Sequence, residues 1–148
     1  MAELCAENKV QYIYTGWSAI EQKEIYSILQ KENIDWIILA GFLKLIPEEY
    51  VSGYENRIIN LHPALLPKFG GKGMYGMHVH KAVIASGEKK SGITIHYVNS
   101  RYDEGRIIEQ FSVDIDPYDD ENSLFEKIRM LEAAHFTKSV EQEILNSD

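Results

Sequence analysis

The feature that most constrains the fold is a short apolar run, residues 36–40, which is followed at once by Gly41. A strand that is apolar at every position is typical of a parallel sheet covered on both faces, and glycine lets the chain turn sharply after it. Further β-rich stretches alternate with helical patterns along the 148 residues. The sequence therefore predicts an α/β fold, with a mainly parallel twisted sheet flanked by helices, in a single domain over residues 1–148.

Hydrophobic periodicity places the individual elements. It predicts helices at residues 47–54, at 80–86 and from residue 122 or 123 to about 145, and one at 18–31, where Ser18 and Glu21 form a capping-box pattern. The buried face of the last helix is predicted at Leu124, Ile128, Leu131, Phe136, Val140 and Ile144. Strands are predicted at residues 10–14, 36–40, 57–61, 92–98 and 107–113, the last two as antiparallel neighbours.

Composition excludes several classes of function. A hydrophobic fraction of 45% supports a packed core, and a net charge of -8 disfavours a nucleic-acid binder while leaving room for a small phosphorylated substrate. The single cysteine excludes an internal disulfide, and no apolar run is long enough to span a bilayer. No signal peptide is evident at the start. We expect a cytoplasmic protein that binds small molecules, without a nucleic-acid or membrane partner.

Three side chains form a pattern suited to acyl-group transfer. Asn60 and His62 lie two residues apart at a predicted strand end, so their side chains point to the same side. Asp103 follows in a turn between two later strands. An amide can stabilise an oxyanion, an imidazole can carry a proton, and a carboxylate beside the imidazole favours its protonated form. Taken alone, His62 is as often structural as functional, and Asp103 is a common turn residue.

Other histidines are weaker candidates. His78 and His80 form a His-x-His pattern, for which capping, substrate contact or loop packing is favoured over metal binding because no third ligand is near in sequence. His96 alternates within a predicted strand and is interpreted as facing a polar side. The glycine-rich stretch 68–77 is long for a connection in a compact domain, which indicates a functional or mobile loop.

These motifs together resemble those of the phosphoribosylglycinamide formyltransferase family. The resemblance is carried by residues 60–69, 77–82, 92–98 and 102–105, and extends over about residues 10–145. It implies transfer of a formyl group from 10-formyltetrahydrofolate to the amine of phosphoribosylglycinamide in purine biosynthesis, on a Rossmann-like fold and without a metal.

The resemblance also implies roles for individual residues. Asn60 would polarise the formyl carbonyl, His62 would donate a proton, and Asp103 would raise the pKa of His62. The peptide bond before Pro67 is expected to be cis. Folate contacts are implied at Leu43, Lys44, Leu45, Ile46, Asn60, Asn99, Ser100, Arg101, Tyr102 and Asp103, and ribonucleotide contacts at Arg129, Met130, Leu131 and Glu132.

The chain departs from the family pattern at its start. Family members normally begin with a strand and a Gly-Ser-Gly-type loop that binds the substrate phosphate at a helix N-terminus. Nothing similar precedes residue 10 here, and the stretch around Ser18 lacks the arginine that often assists folate binding. We therefore expect an N-terminally incomplete form, with lower stability or with association into a homo-oligomer that covers the gap.

Three alternative functions stay open at this point. A formyltetrahydrofolate deformylase or a methionyl-tRNA formyltransferase relative would use the same Asn, His and Asp logic, although the net charge of -8 argues against an RNA-binding surface. A catalytically inactive folate-binding fragment is the third. Formate release without an acceptor would indicate the deformylase, and folate binding without transfer would indicate the fragment.

Overall fold

A computed structural model describes residues 2–147, which fall into two compact units, residues 2–34 and residues 35–147. The first unit contains two helices, α1 (Ala2–Glu7) and α2 (Ala19–Lys31). The predicted capping box of α2 is confirmed, because the Ser18 hydroxyl accepts from the Glu21 amide and the Glu21 carboxylate accepts from the Ser18 amide. The single domain expected from chain length stays a prediction.

The predicted strand at residues 10–14 is wrong. These residues pair with no strand among residues 2–147, and Val10, Tyr12 and Tyr14 expose 57%, 44% and 89% of their surface. Residues with high β-propensity pack well on a pleated sheet, but they form a strand only where a neighbouring strand pairs with their backbone hydrogen-bonding groups.

The second unit contains the sheet. Its elements are β1 (Ile37–Leu39), α3 (Glu48–Gly53), β2 (Ile58–His62), α4 (Met77–Ser86), β3 (Lys90–Tyr97), β4 (Ile107–Asp114) and α5 (Glu121–Asn146). The strand order is β1-β2-β3-β4, with β1 parallel to β2 and both other pairs antiparallel. The helix-flanked α/β class is confirmed, but the sheet is mixed rather than mainly parallel. The antiparallel pairing predicted for the last two strands is confirmed, because residues 98–106 are too short for a crossover. The pair that was not predicted to be antiparallel is β2 with β3.

The apolar run at residues 36–40 was predicted to be buried on both faces, and this is also wrong. It forms only the three-residue β1 at the edge of the sheet, where Ile38 is 38% exposed. An edge strand has a single strand neighbour, so its apolar side chains are less completely covered than those of a central strand.

Helix α5 packs along the sheet and closes the core. Leu124 and Ile128 join Val79, Val83 and Ile93 in one buried cluster, and Val140 joins Ile59 and Ile95 in a second. The predicted buried face of this helix is confirmed, with its remaining members partly buried at Leu131, Phe136 and Ile144. Despite the length of α5, none of the helices within residues 2–147 combines the length and apolarity needed to cross a bilayer.

Candidate active site

A cleft of about 680 Å³ opens at the end of β2, where the chain leaves the sheet. One part of its lining is the segment 39–46, which begins at the last residue of β1, and another part comes from α5. Asn60, His62, His96 and Asp103 line its floor. The cleft therefore lies at a strand end, the usual position of a binding site in an open α/β sheet.

Asn60 is held by a histidine of the neighbouring strand. The antiparallel register places Asn60 opposite His96, and Asn60 Nδ2 lies 3.1 Å from His96 Nε2. His96 Nδ1 lies 2.8 Å from the Tyr97 carbonyl oxygen, which can only accept, so this nitrogen carries the proton. His96 Nε2 then accepts from the Asn60 amide, which leaves the second amide N–H of Asn60 free for another acceptor.

The interpretation of His96 as facing a polar side is therefore incomplete. His96 is only 1% exposed, and its Nε2 lies 3.7 Å from Asp103 Oδ1. The sequence pattern showed a histidine in a strand, but its contact with Asn60 depends on the pairing of β2 with β3. Knowledge of that register would have identified His96 as a site residue.

His62 and Asp103 face each other across the cleft floor. His62 Nε2 donates to the Phe69 carbonyl oxygen at 2.8 Å, and His62 Nδ1 lies 3.6 Å from Asp103 Oδ1. Asp103 Oδ2 accepts from the Gly71 amide at 2.9 Å. Asp103 has a φ of 55°, in the left-handed region that Asp tolerates better than most residues.

Polar side chains of β3 and β4 fix the turn after His62. The Thr94 hydroxyl donates to the Ala64 carbonyl at 2.6 Å and accepts from the Leu66 amide at 3.0 Å. Gln110 Nε2 donates to the Leu66 carbonyl at 3.0 Å. The peptide bond between Leu66 and Pro67 is cis, as the resemblance implied. The backbone that leaves β2 is thus held by buried hydrogen bonds, which preorganises the side chain of His62.

Asp103 raises the pKa of His62, as the resemblance implied, but the pKa still lies below its ordinary value because burial has the larger effect. Burial lowers the pKa of His62, and the Asp103 carboxylate and the Phe69 carbonyl offset this effect only in part. His62 is 3% exposed, and Asp103 lies beyond hydrogen-bond distance at 3.6 Å. The loss of water around a charged ring therefore outweighs the attraction of the carboxylate, and His62 is neutral at neutral pH.

Most of the residues that the resemblance implied as ligand contacts line the cleft. They are Leu43, Lys44, Leu45, Ile46, Asn60, Asn99, Arg101, Tyr102, Asp103, Arg129 and Glu132. Ser100, Met130 and Leu131 do not line it. The side chain of Met130 is 73% exposed, and Leu131 packs against the hydrophobic core. A helix turns by about 100° per residue, so these neighbours of Arg129 and Glu132 face other directions.

The charge of the cleft differs in sign from that of the chain. Its lining within residues 2–147 has four basic side chains, Lys44, Lys72, Arg101 and Arg129, and two carboxylates, Asp103 and Glu132. The chain as a whole has a net charge of -8. A locally basic cleft attracts anionic ligands. No group of three or more His, Cys, Asp or Glu side chains among the described residues is placed to hold a metal ion.

We expect the protein to lose stability as the pH falls below about 6.5. Burial lowers the pKa of His62, His80 and His96 below the unfolded value of 6.5. Below about pH 6.5 the unfolded chain therefore binds more protons than the folded chain, and stability falls as the pH falls towards the folded pKa values. Melting temperatures measured at decreasing pH will show the decline.

His80→Met tests the origin of that decline. His80 is 1% exposed, its Nδ1 has no hydrogen-bond partner among the described residues, and Met has a similar volume. The variant is expected to have a shallower pH dependence, by up to about 1.4 kcal/mol per pH unit for the loss of one proton. An unchanged slope would show that His80 does not contribute.

Comparison with known proteins identifies the family of the chain. The formyl transferase family profile matches residues 3–140. The chain is 49% identical over 109 residues to a chloroplastic phosphoribosylglycinamide formyltransferase of Arabidopsis thaliana. The aligned part covers 74% of this chain and 37% of that protein. It is 34% identical over 129 residues to the phosphoribosylglycinamide formyltransferase of Bacillus subtilis. This alignment covers 87% of this chain and 63% of the Bacillus subtilis protein.

Solved structures show the same fold. The crystal structure of phosphoribosylglycinamide formyltransferase from Bacillus halodurans superimposes with a TM-score of 0.86 at 28% identity, over 99% of this chain and 75% of that one. A formyltetrahydrofolate deformylase from Pseudomonas syringae shares the fold, with a TM-score of 0.84 at 22% identity. The chain spans about a third of the length of the plant relatives, 37% of the Arabidopsis protein and 28% of a chloroplastic phosphoribosylglycinamide formyltransferase of Vigna unguiculata that is 56% identical over 87 residues. From the match over residues 3–140, the chain belongs to the formyl transferase family.

Proposed function

We propose that this chain transfers a formyl group from 10-formyltetrahydrofolate to the amine of phosphoribosylglycinamide, a step of purine biosynthesis. The observation that carries the proposal is the convergence of Asn60, His62 and Asp103 on the floor of one cleft. The three side chains come from a strand and a distant turn. Their meeting supplies an oxyanion donor, a proton carrier and a counter-charge within one site.

The wall after β1 is suited to a flat, largely apolar donor. Leu43 and Leu45 are 52% and 44% exposed although they line the cleft, whereas Ile46 beside them is buried. Exposed leucines in a concave site are typical of a surface that a ligand covers. We assign this wall to the pterin part of 10-formyltetrahydrofolate, with Asn99, Arg101 and Tyr102 on the facing loop.

The proposed acceptor is anionic and carries an amine, and the α5 side of the cleft suits both properties. Arg129 supplies a positive charge there, and Glu132 supplies a carboxylate that can accept a hydrogen bond. Burial raises the pKa of Glu132, and Arg129 offsets part of that effect. We assign Arg129 and Glu132 to the ribonucleotide.

The proposed chemistry needs one proton to move. The acceptor amine attacks the formyl carbon, and the carbonyl oxygen becomes an oxyanion that receives the free amide N–H of Asn60. Neutral His62 takes the proton that the amine loses, at Nδ1. The same proton passes to N10 of the donor as the bond between N10 and the formyl carbon breaks. Asp103, 3.6 Å away, stabilises the imidazolium that exists between the two transfers.

A formyl-transfer assay tests the proposal. We expect formylated glycinamide ribonucleotide to form from 10-formyltetrahydrofolate, measured on the 148-residue chain and on a version extended upstream. Free formate produced in the absence of the acceptor would indicate hydrolysis instead. Folate binding without either product, in both versions, would contradict the proposal and favour a folate-binding role.

A further inference from the structure

The glycine loop, residues 68–76 between Pro67 and α4, touches both members of the proton-transfer pair. Its backbone is left-handed at Phe69, Gly71 and Gly73, with φ values of 57°, 95° and 91°. A non-glycine residue in this region costs of the order of 1 kcal/mol and persists only where its surroundings hold it. The conformation of Phe69 therefore indicates that the loop is held in place by specific contacts.

Two of those contacts reach the catalytic pair from adjacent parts of the same backbone. The Phe69 carbonyl oxygen accepts from His62 Nε2 at 2.8 Å, and the Gly71 amide donates to Asp103 Oδ2 at 2.9 Å. His62 belongs to β2, and Asp103 belongs to the turn between β3 and β4. The loop thus bridges two side chains that arrive from separate parts of the fold.

Each loop contact occupies one polar atom of a catalytic side chain and leaves the second polar atom of that side chain facing the other member of the pair. A carbonyl oxygen can only accept, so Phe69 fixes the proton of neutral His62 on Nε2 and leaves Nδ1 to face Asp103. The Gly71 amide takes Oδ2 of Asp103 and leaves Oδ1 facing His62 Nδ1 at 3.6 Å. β2 alone does not fix the tautomer of His62, and the turn between β3 and β4 alone does not fix the orientation of the Asp103 carboxylate.

Gly70 allows the loop to lie directly against Asp103. A Cβ atom at this position would lie 2.5 Å from Leu66 Cδ2 and 3.2 Å from Asp103 Cβ. The first distance is shorter than real Cβ contacts show, and the Leu66 side chain would have to rotate away. The second is tighter than nine in ten real Cβ contacts, so Asp103 or the loop backbone would have to shift by a few tenths of an ångström.

We propose that the backbone of Phe69–Gly70–Gly71 is a positioning element that sets the tautomer of His62 and the orientation of Asp103 for proton transfer. The proposal rests on the proposed function, because the pair is catalytic only if formyl transfer occurs. It assigns a role to the glycine loop that is separate from ligand contact: the loop acts on the reaction through His62 and Asp103.

Gly70→Ala is the test variant. The added methyl group presses on Asp103 Cβ and so changes the position of its carboxylate relative to His62, and small displacements of a catalytic group have large kinetic effects. We expect kcat for formyl transfer to fall at least about tenfold, with KM for the folate donor within about threefold of wild type. Because the Asp103 charge raises the pKa of His62, displacement of the carboxylate should also move the His62 titration, followed by NMR, away from its wild-type midpoint.

Gly87→Ala is the matched control. It is also a glycine-to-alanine change, its φ of 71° strains alanine, and nothing lies within 4 Å of the added Cβ at the end of α4. We expect it to lower stability but to leave the His62 titration unchanged. Equal losses of kcat in the two variants would show that the effect of Gly70→Ala comes from general destabilisation, and would overturn the proposal.

A second variant separates the two tight contacts of position 70. Leu66→Val removes the Cδ2 atom that the new methyl group meets at 2.5 Å, so Gly70→Ala in that background retains its tight contact with Asp103 at 3.2 Å and an ordinary contact with the Pro67 carbonyl oxygen at 3.7 Å. We expect the kcat loss and the titration shift to persist relative to Leu66→Val alone. Full recovery would place the effect on Leu66 and overturn the proposal. The NMR titration needs no turnover, so it decides the role of the loop even if the protein transfers no formyl group.

Discussion

His62→Gln is expected to lower kcat for formyl transfer by at least about a hundredfold, the low end for loss of a general acid–base group. Glutamine can still donate from Nε2 to the Phe69 carbonyl, which His62 contacts at 2.8 Å. It cannot take up a proton near neutral pH. The variant therefore removes the proton carrier while retaining a hydrogen bond that orders the glycine loop, and single-turnover kinetics will measure the loss in the chemical step.

The pH profile provides a second measurement of the same prediction. Burial lowers the pKa of His62, so the neutral base is fully present above the ordinary value of 6.5 and is lost as the pH falls through the folded value. Wild-type kcat should decline on the acidic side, whereas the residual rate of His62→Gln should lose that limb. His78→Gln is the matched control, because His78 is exposed and does not line the cleft. We expect its kcat to stay near the wild-type value. Near-normal turnover in His62→Gln would exclude His62 as the proton carrier.

Features determined by local chemistry were predictable from the sequence. The capping box of α2 involves residues three apart, and the Ser18 and Glu21 contacts follow from that spacing. Asn60 and His62 share a face because strand side chains alternate, and both line the cleft. Asp103 was named with them as a turn residue between two later strands, although no local rule connects residue 62 with residue 103.

Features determined by pairing and burial were not predictable. The contact between Asn60 and His96 requires the register of β2 and β3, which depends on the whole connection between them. The direction of the His62 pKa requires the balance of two opposed effects, and the residue pattern revealed the Asp103 charge but not the depth of burial. The stretch 10–14 has strand composition but no strand partner among the described residues.

Gly105→Ala is expected to destabilise the second unit by about 3 kcal/mol, at the upper end of ordinary overpacking. A Cβ atom at this position would lie 1.6 Å from the Tyr97 carbonyl oxygen and 2.6 Å from its carbonyl carbon. The neighbouring backbone cannot easily move, because the Tyr97 amide donates to the Arg106 carbonyl and the Val98 amide donates to the Ile58 carbonyl of β2, both at 2.9 Å. The strain must therefore pass into the turn 98–106 that carries Asp103.

Thermal unfolding measures this effect, with a melting temperature expected to fall by about 6–12 °C for a chain of this size. Gly87→Ala separates collision from backbone strain: its φ is 71°, nothing lies within 4 Å of the added Cβ, and we expect a cost of only about 1 kcal/mol. Similar melting temperatures for the two variants would contradict the collision argument. A larger loss of stability in Gly105→Ala, together with a shifted His62 titration, would show that position 105 requires glycine. Without a Cβ atom there, the turn lies directly against β3, and the Asp103 carboxylate, two residues earlier in the turn, faces His62.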